Sequence, residues 1–449
     1  MHPNRLLRLA AATLAAGVLL TACGTGTEGG SGGGNEKITL NVNLFGNFGY
    51  QDLYAEYQKS HPNITIQERT AAYNDHHRDL ITHLATGSGA GDIEGVDTGF
   101  IAQMRERGNL FVDLGKDRQS EYLDWKWAAS LAKDGKQVGY GTDVGGLAIC
   151  YRRDLFEKAG MPFDRDQVSA AWGSGWDQYI EFGKRYAAKA PAGSAFFDGG
   201  GQLFNAIIGQ APVGYYNEDN AIVVSTNPDV RKAWDLTVKA IQSNLSAKLI
   251  GSSQEWNNGF AKDQFATIAC PAWMMTKIKD QAKHAAGKWD VASVPGGGGN
   301  WGGSYLTVPK QGKHIEEAKK LAAWLTAPEQ QAKVFTARGN LPSIPALYDK
   351  PDIAQYKDAF FNNAPVGQLF TTAAKQLKPQ YQGPRAGDVQ TTIRDALVRI
   401  EQGKQRSDES WKQMVSDATL LGTLMAFALV RHSFRGRSGL NGLIFLPMA

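Results

Sequence analysis

Residues 136–160 read KQVGYGTDVGGLAICYRRDLFEKAG, and their order decides the fold. A glycine-rich extended segment runs directly into the apolar run GGLAIC, and a helical pattern begins at RRDLFEKAG. Glycine permits bends and close backbone approach, while an uninterrupted apolar run of this length fits a strand buried on both faces. With no turn between them, the two predict a strand crossing from one α/β lobe into a second.

The flanking sequence supports that reading. From Lys37 onward, ITLNVNLF reads as a strand, QDLYAEYQKSHP as a helix stopped by Pro62, and ITIQERTA as a second strand. The helix HHRDLITHLATGSG, the short strand DIEGVD and a helix near FIAQMRERG follow. Alternating units of this kind predict a mostly parallel sheet with helices on both faces. Beyond the crossing, helical patterns in WDQYIEFGKRYAAKA, QLFNAIIGQ and PDVRKAWDLTVKAIQSNL precede an apolar strand in NNGFAKDQFATIACPAWMM. VPGGGGNWGGSYLTVPK breaks the pattern; helices resume at HIEEAKKLAAWLTAPEQQAKVFTARG and end in one amphipathic helix, VQTTIRDALVRIEQGKQRSDESWKQMVSDA. At 449 residues the chain exceeds one ordinary core, as two lobes require.

Composition narrows the partners. The chain has 48 basic and 44 acidic residues, so no nucleic-acid surface is indicated. Its 11 Trp, 15 Tyr and 19 Phe beside 51 Gly suit an aromatic-rich protein with many turns. Arg5 and Arg8 precede the apolar run Leu9 to Leu20, too short to span a bilayer, which reads as an export signal. That run closes on Leu20-Thr21-Ala22-Cys23, which resembles a bacterial lipobox and makes Cys23 the expected site of lipidation. The Gly/Ser-rich GTGTEGGSGGGNEK then reads as a flexible tether. The remaining cysteines, Cys150 and Cys270, each end an apolar run, and both a disulfide between neighbouring strands and two packed thiols fit.

The ordered series of lipobox, NLFGNFGYQDLYAEYQKSHPNITI, GDIEGVD, GTDVGGLAICYRRDLFEKAG, PAWMM and NWGGSYLTVPK resembles the extracellular solute-binding proteins, family 1, of bacterial ABC importers, which take sugars and oligosaccharides. The resemblance covers about Lys37 to Ala418. It implies a periplasmic-binding-protein-like α/β fold, two lobes joined by a multi-strand hinge, with solute in the cleft and the closed form presented to a membrane permease. On that basis the chain divides into a signal peptide (1–22), a tether (23–36), lobe I (37–145 and 297–358), lobe II (146–296), and lobe II with C-terminal helices (359–418).

A sugar ring has apolar faces and a rim of hydroxyls, so its site needs aromatic platforms with carboxylates, amides and backbone groups in the ring plane. Asn47, Phe48 and Tyr50 follow the first strand, at the carboxyl end where open α/β sheets place ligands; a turn with packed aromatics fits equally. Asp97 and Thr98 leave the strand of GDIEGVD at the same end, whereas Asp92 enters it and reads as structural. Asp143 falls on the crossing, as a hydroxyl acceptor or a hinge cap. The resemblance makes Trp273 a sugar-stacking residue, with core packing the other reading, and NWGGSY itself offers Trp301, with exposed backbone at Gly302 and Gly303, as a second platform. Asp198, Asn205, Trp256, Asn362 and Gln382 are weaker candidates, and Trp125, Trp127, Trp172 and Trp176 read as packing.

Other chemistries lack their motifs. The run of four glycines at 296–299 has no following Lys and Ser/Thr, so no phosphate-cradling loop is indicated. His76, His77 and His83 read as a solvated helix face rather than metal ligands, and Ser174 lies outside any nucleophile elbow. No catalytic residue, metal or cofactor is expected, and the expected partners are a sugar or oligosaccharide, permease subunits and, through the lipid, the membrane, with the protein a monomer. Two alternatives stay open: a binder of polyamines or other cations, through aromatics with Asp97, Asp143 and Asp198, and a lipid-anchored carbohydrate-active enzyme. The last 31 residues, 419–449, run apolar, basic, apolar and resemble a fragment of an ABC permease, which predicts a foreign join near Ala418. A surface-lying amphipathic anchor is the other reading of that tail.

Overall fold

The computed structural model describes residues 36–430, with side chains through 421. Cys23, the signal and the tether before Glu36, and residues 431–449 of the tail lie outside the described residues.

Eleven strands are described: β1 (Ile38–Leu44), β2 (Ile64–Thr70), β3 (Ile93–Asp97), β4 (Gly139–Gly141), β5 (Asp143–Val144), β6 (Leu147–Arg152), β7 (Ala195–Phe197), β8 (Phe265–Pro271), β9 (Trp289–Ser293), β10 (Ser304–Thr307) and β11 (Leu341–Pro342). Alternation in β1 buries Leu40, Val42 and Leu44 completely, and β1 pairs parallel with β2 and β3. The first sheet has the order β2-β1-β3-β10-β4 and the second β7-β8-β6-β9, each with its own helices. Two α/β lobes with mixed sheets result.

The expectation of a mostly parallel sheet fails at two places. β10 enters the first sheet antiparallel to both β3 and β4, because the chain returns to it from the second sheet. In the second sheet β6 is antiparallel to β8 and to β9, and only β7 with β8 is parallel.

The opening stretch crosses as expected. β4 belongs to the first sheet and β6, wholly buried, to the centre of the second; between them β5 pairs with β11. At the crossing Trp301 N donates to Gly145 O (2.8 Å), and a Cβ added at Gly145 would lie 1.9 Å from Trp301 O, so only glycine fits. Cys150 and Cys270, on the antiparallel neighbours β6 and β8, form a disulfide with Cα atoms 5.4 Å apart.

Two further expectations are corrected. The single C-terminal helix is two, Ala386–Glu401 and Ser407–Val430, with Gly403 at φ +67° breaking the run. The second helix continues without a break across position 418, the predicted join. His76 and His77 do not lie on a solvated face: the helix Tyr73–Thr86 turns them into lobe I, 5% and 0% exposed. Among the described residues, no helix is long and apolar enough to cross a membrane.

Candidate functional site

The ends of β3 and β10, the crossing and the loop after β8 meet at one place. Registration of Ser304 opposite Asp97 puts Trp301, Gly302 and Gly303 beside the carboxyl end of β3, where Thr98 N donates to Gly303 O (2.9 Å). Gly302 and Gly303 have φ of +89° and +102°, a turn that favours glycine. A methyl group at Gly302 would lie 3.0 Å from Trp273 Nε1 and 3.9 Å from Asp97 Oδ2. Trp273 Nε1 donates to Trp301 O (3.0 Å), and the two indoles meet edge to face at 5.6 Å. Both tryptophans are partly exposed. The structure thus gathers four predicted residues, Asp97, Trp273, Trp301 and Gly302, around one backbone turn.

Asp97 is held by its neighbours. It caps the helix Thr98–Arg105, with Oδ1 accepting from Gly99 N (2.8 Å) and from the Tyr73 hydroxyl (2.9 Å). Its own N–H donates to His77 Nε2 (3.0 Å), whose Nδ1 bonds Tyr73 O (2.7 Å), an arrangement that fixes the neutral imidazole with the proton on Nδ1. Phe100 stacks on His77 at 4.1 Å, and burial pushes the imidazole down to about 3. Surrounding atoms withhold water from the Asp97 carboxyl and push it up to about 6, against its hydrogen bonds and the Lys126 charge. Oδ2 is left toward Gly302 and Trp273.

A second group lies beside the first. Phe48, Tyr50, Asp143, Gln331 and Asn340 line a small recess. Asp143 Oδ1 accepts from Thr142 Oγ1 (2.7 Å) and Ser304 N (2.9 Å), and Oδ2 faces Asn340 Nδ2 (3.4 Å), so this carboxylate ties the crossing to β10. Phe48 and Tyr50 are 8% and 2% exposed and meet each other at 5.8 Å, so both pack as well as line. Asn47 sits exposed at the rim, its Oδ1 accepting from Gly49 N (2.9 Å). Thr98 adds its backbone bond to Gly303.

The weaker candidates fall elsewhere. Asp198 is buried in lobe II and accepts from Trp256 Nε1 (2.7 Å) and Gln202 Nε2 (2.8 Å); Asn362 Nδ2 donates to Asp290 (2.9 Å). Trp127, Trp172 and Trp176 are core residues, as expected. Sequence reasoning missed Tyr73, His77, Gln331, Asn340 and above all Lys126, which is fully buried against Gly141 and the Tyr305 ring. No local signal marked Lys126, since residues adjacent along a helix point to different faces and DWKWAA does not say which face is buried. Among the described residues no group of three or more His, Cys, Asp or Glu side chains forms a metal site.

Residues 52–361 match the family of bacterial extracellular solute-binding proteins, and the chain belongs to it. It is 22% identical over 390 residues to the arabinooligosaccharide-binding protein of Bacillus subtilis (strain 168), covering 81% of this chain and 87% of that one. A crystal structure of an extracellular solute-binding protein, family 1, superposes with a TM-score of 0.73 at 44% identity, over 86% of this chain and all of the other. The ABC-transporter-associated binding protein of B. animalis subsp. lactis Bl-04, in complex with beta-1,6-galactobiose, superposes with a TM-score of 0.75 at 20% identity, over 87% of this chain and 98% of that.

Proposed function

We propose that the protein captures a sugar or oligosaccharide between its lobes and delivers it to the permease of an ABC importer. The observation that carries the reading is the convergence of Trp273, Trp301 and the free Oδ2 of Asp97 on the turn at Gly302. Two partly exposed indoles offer apolar platforms, and a carboxylate with one oxygen already fixed offers the other to a ring hydroxyl. Relatives named for arabino-oligosaccharide binding and solved with a galactobiose point to the same ligand class. The internal bond from Trp273 Nε1 to Trp301 O must give way, or be bridged, when solute enters, and closure then follows from contacts made only in the closed state.

In this reading lobe I comprises 37–145 and 297–358 and lobe II 146–296 and 359–418, the molecule acts as a monomer, and Cys23 carries the lipid that keeps it at the membrane. The site then binds without transforming its ligand. A strain lacking the gene tests the transport role. Growth and uptake of labelled sugar should fail on one saccharide source and return with the intact gene; uptake unchanged on every saccharide contradicts the role.

A further inference from the structure

Lys126 is 0% exposed, and its Nζ has no hydrogen-bond partner. A buried ammonium with three idle donors is costly and calls for an explanation. Its surroundings supply one. Nζ stands 3.8 Å over the Tyr305 ring, a favourable cation–π contact. A Cβ on Gly303 would lie 3.0 Å from Nζ and 2.7 Å from Asp143 O, and the neighbouring Gly302 position faces Asp97 Oδ2. One pair of glycines therefore lies among the ammonium, the Asp143 backbone carbonyl and Asp97 Oδ2. The lysine stem packs on Gly141 of β4, so the charge cannot swing out to water without moving that strand. The charged groups acting on Nζ are Asp143 and Asp97, and both favour its protonation. Between themselves the two carboxylates repel.

We propose that Lys126 is a specificity-determining residue: its ammonium is the shared counter-ion of Asp97 and Asp143, cancels one of their two charges, and biases the site toward uncharged hydroxyl-bearing ligands over cations. This rests on the saccharide reading of the same site. Without Lys126 the charges of Asp97 and Asp143 beside the turn at Gly302 would be uncompensated, a setting that attracts a diamine. With it, the site keeps the Asp97 Oδ2 acceptor and about half the negative charge, which suits a neutral polyol. Burial pulls the ammonium down to about 8, so the counter-ion is in place at neutral pH.

The test reads charge coupling directly and needs no ligand. In carbon-detected NMR titrations, Lys126→Met should raise the Asp97 midpoint by about one pH unit, and Lys126→Arg should keep it within a few tenths of wild type. An unmoved Asp97 midpoint in a folded Lys126→Met protein overturns the proposal. If that variant does not fold, Asp143→Asn serves instead: the Lys126 midpoint, followed by its nitrogen signal, should fall, and a fixed midpoint overturns the coupling. Calorimetry of wild type and Lys126→Met with spermidine completes the test. Wild type should give no heat and Lys126→Met saturable heat with spermidine; equal behaviour of the two removes the specificity role. A wild type silent toward all saccharides but with the midpoint shift intact would instead sink the function reading alone.

Discussion

Arg105 Nη2 lies 2.8 Å from the hydroxyl of Tyr381, and its guanidinium stands 5.1 Å from the centre of that ring. Arg105 ends the first helix after β3, while Tyr381 packs on the core of the second sheet and donates to Asn220 Oδ1 (2.7 Å). The contact therefore joins the lobes at a point separate from the crossing strands. Next to it, Phe100 lies against Gly387 of the helix Ala386–Glu401.

Arg105→Ala should loosen that contact. A hydrogen bond from a charged donor is worth about 1.5–3 kcal/mol, so the population with the lobes joined there should fall roughly tenfold or more. Spin-label distances between the lobes would show a longer component in the ligand-free variant; an unchanged distribution would mean that the contact does not hold the lobes.

Gly145→Ala should damage the crossing itself. The added methyl meets the Trp301 backbone carbonyl, which cannot rotate away as a side chain does. A loss of about 1–3 kcal/mol in thermal or denaturant unfolding is expected, together with weaker ligand binding. Stability within 0.5 kcal/mol of wild type, a margin ordinary for a harmless surface change, would mean that the backbone moves aside freely.

Replacing Cys150 and Cys270 together by Ala should lower stability by about 2–5 kcal/mol, because the bond closes a loop of 120 residues in the unfolded chain. Both sulfurs are buried in the second sheet and neither is among the groups nearest the turn at Gly302, so affinity should change little. Unfolding with and without reductant checks the first part, calorimetry the second.

Asp198→Asn should change how stability depends on pH. Burial pushes this carboxyl up to about 7, against 3.8 when unfolded. Between those values the folded protein holds a proton that the unfolded chain has lost, so the group's contribution falls as pH rises from about 4 to 7. Above 7 its penalty is complete. His77, neutral when buried, slopes the other way from about 3 to 6.5, but it is common to both proteins and cancels in the comparison. The variant should therefore gain melting temperature relative to wild type at pH 8 compared with pH 5. A constant difference would show that Asp198 is ionised in the fold throughout.

The crossing was legible because glycine followed by a wholly apolar run has few other uses, and β1 because period-two alternation is local. Strand direction was not: nothing in SYLT says that β10 runs against β3, since direction is set by where the chain returns from. Helical spacing gave the helix of His76 and His77 but not which face meets the sheet, and an imidazole satisfies both settings. Asp97, Trp273, Trp301 and Gly302 could be picked by type and strand end. Their convergence, and the ammonium of Lys126 beneath them, depend on residues 176 positions apart between Asp97 and Trp273, which no local pattern encodes.

Titration calorimetry separates a saccharide site from a cation site. The protein is titrated with arabinotriose, beta-1,6-galactobiose, a panel of other di- and trisaccharides, and spermidine. Saturable heat is expected from at least one saccharide and none from spermidine, with Trp273→Ala weakening the saccharide by about 30-fold or more while the fold is retained. Heat from spermidine with silence from every saccharide would contradict the saccharide reading.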